Sequence, residues 1–126
     1  MPSKNRVLCI AYDAALLHTR QVILQDAGFA VTPALGFAEA LELCKGDPKF
    51  DLILMGHVIP SKDKTALIGT LREHSCKAPV LSIRKRGDEP LPEAEFSVDA
   101  AEGPEALVKA VQRALAAGRF SFRLAI

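Results

Sequence analysis

The sequence predicts an α/β domain built on an open parallel sheet with helices on both faces. Three observations carry that prediction. Short apolar runs alternate along the chain with stretches of helical periodicity, the order that gives parallel strands joined by crossovers. Leu52-Ile53-Leu54-Met55 is apolar without alternation, as a strand buried on both faces must be. Glycine and proline punctuate the helix ends, at Gly28, at Gly46-Asp47-Pro48 and at Gly103-Pro104.

Val7-Leu8-Cys9-Ile10 is the first strand. In the helix that follows, Asp13 to Ala27, Leu16, Leu17, Ile23 and Leu24 share one face. Asp13 has the short acceptor side chain of an N-cap, and Gly28 stops the helix as a C′ glycine. Phe29-Ala30-Val31-Thr32-Pro33 is the second strand. Phe37, Leu41 and Cys44, with Ala38, Ala40 and Leu43 around them, make a short second helix ended by Gly46-Asp47-Pro48. After the third strand, Leu52 to Met55, a helix starting at Ser61 or Lys62 and reaching Glu73 carries Ala66, Leu67, Ile68 and Leu71. Pro79-Val80-Leu81-Ser82-Ile83 is the fourth strand and Phe96-Ser97-Val98 a weaker fifth. The interval between them, Arg84 to Glu95, contains Gly87, Pro90 and Pro92 and is too short for a full helix.

The last helix opens at Gly103-Pro104, where the N–H that proline lacks would have had no partner. Leu107, Val108, Val111 and Leu115 give it an apolar stripe, and Gly118 is expected to close it. Beyond Gly118, Phe120, Phe122, Leu124 and Ile126 alternate with smaller or charged residues, the period of a half-buried strand. Exposed, such a segment would invite aggregation, so packing on its own domain or on a sheet edge of another chain is expected. The chain thus divides into a domain over residues 1–118 and a C-terminal extension over 119–126, an extra strand in this reading.

A length of 126 residues suits one domain with a real core and excludes two. The net charge of +1 gives no general reason to expect a nucleic-acid or anionic-membrane partner. No apolar run is long enough to span a bilayer, and Met1 to Arg6 leads straight into a strand without a signal-peptide apolar region. A cytoplasmic location is expected. Cys9, Cys44 and Cys76 match no zinc spacing, and their odd number argues against a disulfide framework, so they are expected to be buried thiols. His18 and His74 have no metal-ligand spacing. The chain has no nucleophile–base pair, no glycine-rich phosphate loop and no carboxylate pair at catalytic spacing. Neither enzymatic activity nor a cofactor is expected.

The segment Asp51-Leu52-Ile53-Leu54-Met55-Gly56-His57-Val58-Ile59-Pro60 resembles the central strand of bacterial response-regulator receiver domains. In that family an Asp-Leu-apolar strand ends in the phospho-accepting Asp, and a Pro follows four residues later. Val7-Leu8-Cys9-Ile10, Ala27-Gly28-Phe29 and Pro79-Val80 extend the resemblance from Arg6 to about Leu115. It implies a flavodoxin-like, doubly wound sheet of five parallel strands in the order 2-1-3-4-5. The family's helix between strands four and five is shortened or lost here, so the surface it helps to form, which commonly docks partners, is rebuilt.

Carried over residue by residue, the resemblance implies a receiver without receiver chemistry. The two acidic positions after strand one hold Ala11 and Tyr12, and the acceptor position holds Gly56. The Thr or Ser after strand four is Arg84, the Lys after strand five is Asp99, and the Pro after that Lys is Ala100. Mg²⁺ requires hard oxygen ligands, usually carboxylates, and only Asp13 stands beside strand one, where it already serves as N-cap. A one-residue shift would bring Asp13 to the second acidic position, still without an acceptor. Arg84 and Asp99 are expected to meet across the pocket, since adjacent strands lie about 4.8 Å apart. His57 would stand at the pocket mouth without an evident base, metal or phosphate cradle.

The function this implies is a phosphorylation-independent protein-interaction module in two-component or phosphorelay-type signalling. Its partner would be a signalling protein or a second copy of the chain. The alternative is a small-anion or nucleotide sensor that uses the basic rim Lys62, Lys64, Arg84, Lys85 and Arg86. In this fold those residues would lie at the carboxyl ends of the strands, where ligands of open α/β sheets bind. Asp63, Asp88, Glu89 and Asp99 lie nearby in the chain and oppose that field.

Overall fold

A computed structural model describes residues 5–46 and 49–124, with the backbone alone from 118 onward. Five strands form one parallel sheet: β1 (Arg6–Ala11), β2 (Ala30–Leu35), β3 (Leu52–Met55), β4 (Val80–Arg84) and β5 (Phe96–Asp99). The helices are α1 (Ala14–Asp26), α2 (Gly36–Lys45), α3 (Ser61–Glu73) and α4 (Pro104–Leu124), the last preceded by a 3₁₀ turn over Ala100–Glu102. The strand order is β2-β1-β3-β4-β5, as expected, with every pair parallel.

Two cores follow from the period-2 alternation of the central strands. Val7, Cys9, Leu54 and Leu81 point to one face, where Leu17 and Leu24 of α1 and Val111 of α4 cover them. Leu8, Ile10, Ile53 and Met55 point to the other, under Cys44 of α2 and Leu67 and Leu71 of α3. All four residues of β3 are fully buried, which explains the unbroken apolar run. Cys9, Cys44 and Cys76 are buried free thiols. In α2, Ala40 and Cys44 pack inward and Phe37 is partly exposed. None of the described helices is long and apolar enough to cross a membrane.

The ends of α1 show how local chemistry sets the boundaries. Asp13 is extended, and its Oδ1 accepts the Leu16 N–H at 3.0 Å. Gly28 has φ +98°, the left-handed conformation that a side chain would strain. Asp13→Ala is expected to lower stability by about 1 kcal/mol in urea melts, the usual worth of such a cap.

No helix forms between β4 and β5. The connection is tied down by Glu95, whose Oε2 accepts the Val80 N–H at 2.6 Å and whose Oε1 accepts from Arg72 at 3.0 Å. Leu91 and Ala94 pack on the α2/α3 side of the sheet.

The expected closure at Gly118 and the strand beyond it are corrected: α4 continues through Leu124. A helix already formed gains one backbone bond for each residue added, whereas a strand needs an edge to pair with. The proposed burial of Phe120 and Phe122, and an interface at Leu124 and Ile126, concern side chains outside the described residues.

Candidate functional site

The carboxyl ends of β1, β3 and β4 converge on Gly56, the first residue after β3. Its N–H donates to the Ile10 carbonyl at 2.9 Å, which extends the β1–β3 ladder by one bond. A β-carbon built on Gly56 would lie 2.7 Å from Nη1 of Arg20 and 3.3 Å from the Ile10 carbonyl oxygen. The φ of Gly56 is not positive, so its backbone does not demand glycine. The space does. The guanidinium of Arg20, projected inward from α1, fills the space that a side chain at position 56 would take.

Arg20 is only 7% exposed. It lies three residues after Leu17 and four before Leu24, on the buried face of α1. Its Nη2 donates to Nδ1 of His57 at 2.9 Å. Guanidinium has no acceptor, so His57 is the neutral tautomer with its proton on Nε2. Burial, and then the charges of Arg20, Lys85 and Lys64, push the His57 pKa down, against the opposing pull of Asp88. Burial also lowers the pKa of Arg20, with Cys9 and Asp13 acting against it. Nη1 of Arg20 is buried and has no hydrogen-bond partner.

Lys64 enters the same region from α3. It is 6% exposed, and its ammonium donates to Ser82 Oγ at 2.8 Å and to the Ile83 carbonyl at 3.2 Å. Burial first, and then Arg84 and Arg20, lower its pKa, while Asp88 raises it. Both inward cations were legible as positions: Lys64 precedes Leu67, Ile68 and Leu71 at helical spacing, as Arg20 sits between Leu17 and Leu24. A charged residue on an apolar face is the signal that could have singled out Arg20.

The residues that follow the buried part of β1 offer a metal no free carboxylate pair. Ala11 is buried, and the hydroxyl of Tyr12 donates to Asp63 Oδ2 at 2.8 Å. Burial, followed by the bond to and charge of Asp63, drives the Tyr12 pKa far above its ordinary value. Asp13 is exposed and capping α1. With a guanidinium at Gly56, this donor set does not fit Mg²⁺. Among the described residues no group of three or more His, Cys, Asp or Glu could hold a metal ion.

The expected Arg84–Asp99 pair is corrected. The two residues are partners in the β4–β5 register, but Arg84 Nη2 donates to the Asp88 carbonyl. Asp99 Oδ1 accepts the Ala101 N–H at 2.8 Å and caps the 3₁₀ turn. A local backbone donor two residues away competes better for a short carboxylate than a long side chain on the next strand. The basic rim also separates. Lys64 turns inward and Lys62 faces solvent, while Lys85 and Arg86 line a different groove, beside β5 and α4.

No family model and no curated protein matches the sequence. Solved structures do. Chemotaxis protein CheY4 of Vibrio cholerae is 24% identical, with a TM-score of 0.74 over 89% of this chain and 99% of its own. A CheY-like response regulator receiver domain protein from Methanospirillum hungatei is 20% identical, with a TM-score of 0.79 over 94% of this chain and 99% of its own. A response regulator receiver protein from Sinorhizobium medicae is 23% identical, with a TM-score of 0.75 over 91% and 97%. At these identities the likeness concerns the backbone: the chain has the CheY-like, flavodoxin-type fold of receiver domains, without a helix between β4 and β5.

Proposed function

We propose that this chain is a degenerate receiver module that acts in two-component or phosphorelay-type signalling by docking a protein partner, without phosphoryl transfer and without enzymatic activity. The observation that carries this reading is the guanidinium of Arg20 at the Gly56 acceptor position. A phosphoryl acceptor needs a nucleophilic oxygen there and a divalent cation beside it. Glycine supplies no oxygen, and a resident cation repels Mg²⁺.

The docking face we favour is the groove of about 580 Å³ between the β4–β5 connection and α4. Ala106 and Ala110 form part of its wall, one helical turn apart, and leave room above α4. Arg84, Lys85, Arg86, Lys109 and Arg113 line it against Asp99 and Glu102. That balance suits an acidic segment of a signalling protein. A second reading, in which the domain responds to a small anion, is favoured by the buried Nη1 of Arg20 and Nε of Arg84, neither of which has a partner.

Incubation with acetyl phosphate and Mg²⁺ is expected to leave the intact mass unchanged. A stoichiometric acid-labile adduct would overturn the phosphorylation-independent reading. Charge reversal at Lys109 and Arg113 together is expected to abolish capture of a partner identified by cross-linking to the wild-type protein. Undiminished capture would reject the groove as the docking face.

A further inference from the structure

The region around Gly56 inverts the electrostatics of a metal-dependent acceptor pocket. A cavity of about 370 Å³ opens here, walled by His57, Ser61, Lys64, Ser82 and Arg84, with Asp88 and Glu89 also lining it. Lys64 and, behind His57, Arg20 are more than nine-tenths buried, yet their bonds run to His57, Ser82 and the Ile83 carbonyl and none to a carboxylate. A buried cation without a counter-charge is costly, and an anion that reaches it is bound correspondingly well. Asp88 and Glu89 do not serve that role fully. Both are exposed, so water screens them, and the Asp88 carboxylate is engaged with the Lys85 N–H at 2.9 Å.

The start of α3 adds a second attraction. Its N-cap is Pro60, which makes no side-chain capping bond, and Ser61 at its first position lines the cavity. An uncapped helix N-terminus presents partial positive charge to whatever stands before it. His57, on the loop after β3, and Ser61 and Lys64, one turn apart at the start of α3, thus line one cavity. Donors spread in this way match a tetrahedral oxyanion better than a planar carboxylate.

We infer that this cavity binds a phosphate group reversibly and without a metal, held by Lys64, His57, Ser61 and the amino end of α3. The inference rests on the anion-responsive reading and names its ligand. No covalent bond forms or breaks: the phosphate supplies the counter-charge that the fold omits.

Inorganic phosphate, titrated into the full chain in EDTA at constant ionic strength set by chloride, is the direct probe. Phosphate is expected to raise the melting temperature saturably by a few degrees and to leave the denatured mass unchanged. Lys64→Met is expected to weaken binding about 10- to 100-fold, the loss of one charge-assisted bond. His57→Gln keeps a neutral side chain and tests the same site should Lys64→Met fold poorly; it is expected to weaken binding several-fold. Lys62→Met and Arg86→Met are expected to bind as wild type. Glycerol phosphate binding at the same site without inorganic phosphate binding would also support a phosphate-group site, with the group arriving on a carrier. Acetate binding that Lys64→Met abolishes, without phosphate binding, would overturn the ligand assignment and leave the anion-responsive reading standing. No shift with any of these anions would overturn both. An adduct in the acetyl phosphate experiment is a separate result and bears on the docking reading alone.

Discussion

Gly56→Leu is expected to destabilise the domain by about 2–4 kcal/mol, although glycine is normally a poor residue at a strand end. The new side chain needs the volume that the Arg20 guanidinium occupies, since even a β-carbon would lie 2.7 Å from Nη1. Forcing extra methylenes into a filled site costs about 1–3 kcal/mol, and displacing the guanidinium also breaks its bond to His57. Gly69 is the internal comparison. It lies exposed inside α3 with no atom within 4 Å of a built β-carbon, so Gly69→Ala should stabilise by about 0.5–1 kcal/mol. The decisive measurement is a double-mutant cycle. Arg20→Ala empties the contested space, so the double variant should recover at least about 1 kcal/mol relative to the sum of the single changes. Strict additivity in urea melts would show that Arg20 does not occupy the space beside Gly56.

Raising the pH from about 8 to above 11 is expected to remove about 2–3 kcal/mol of stability for each of Cys9 and Cys44. Both side chains are fully buried, and burial pushes both thiols from 9.0 to about 11. For Cys9 the nearby Arg20 charge opposes the rise, and for Cys44 the neighbouring Cys76 adds to it. Between these values the unfolded chain has released protons that the folded chain retains, so the slope of unfolding free energy against pH is negative. The contribution is complete below 9.0 and lost as pH passes about 11. Lys64 works in the opposite sense, because its folded pKa is lowered and its charged form grows less costly to the fold as pH rises toward 10.5. Comparing wild type with Cys9→Ala and Cys44→Ala cancels Lys64 and every other shared group. Each alanine variant should lose stability less steeply above pH 9.0 than wild type does. Parallel slopes would show that these thiols titrate in the folded chain as they do in the unfolded one. The same burial predicts that iodoacetamide labels them only through opening of the fold.

The fold was legible because its signals are local or periodic. Leu52 to Met55 has no polar break, and such a strand can satisfy itself only between two helical layers. Asp13 and Gly28 bracket α1 by chemistry that operates within a turn, and Pro104 opens α4 for the same kind of reason. The breakers between Arg84 and Glu95 likewise sufficed to remove a helix. The tail was misread because alternation alone does not make a strand. The chain after Gly118 continues α4, where each added residue gains a backbone bond to a helix already nucleated.

At the candidate site, composition decided the negative half. Gly56, Ala11 and Tyr12 cannot supply an acceptor or a metal cage whatever surrounds them. The tertiary structure alone decided what stands there instead. Arg20 and Gly56 are far apart in sequence, and only the packing of α1 against the end of β3 brings the guanidinium to the glycine. The same holds for Lys64, which reads as one of several surface lysines until α3 turns it under Ser82 and Ile83. It holds for Arg84 and Asp99 as well, which the register places side by side while nearer backbone partners claim their side chains. Residue identity thus limits which chemistry is possible. Which charges meet depends on distances of a few ångströms between elements, and no local pattern in the chain encodes those.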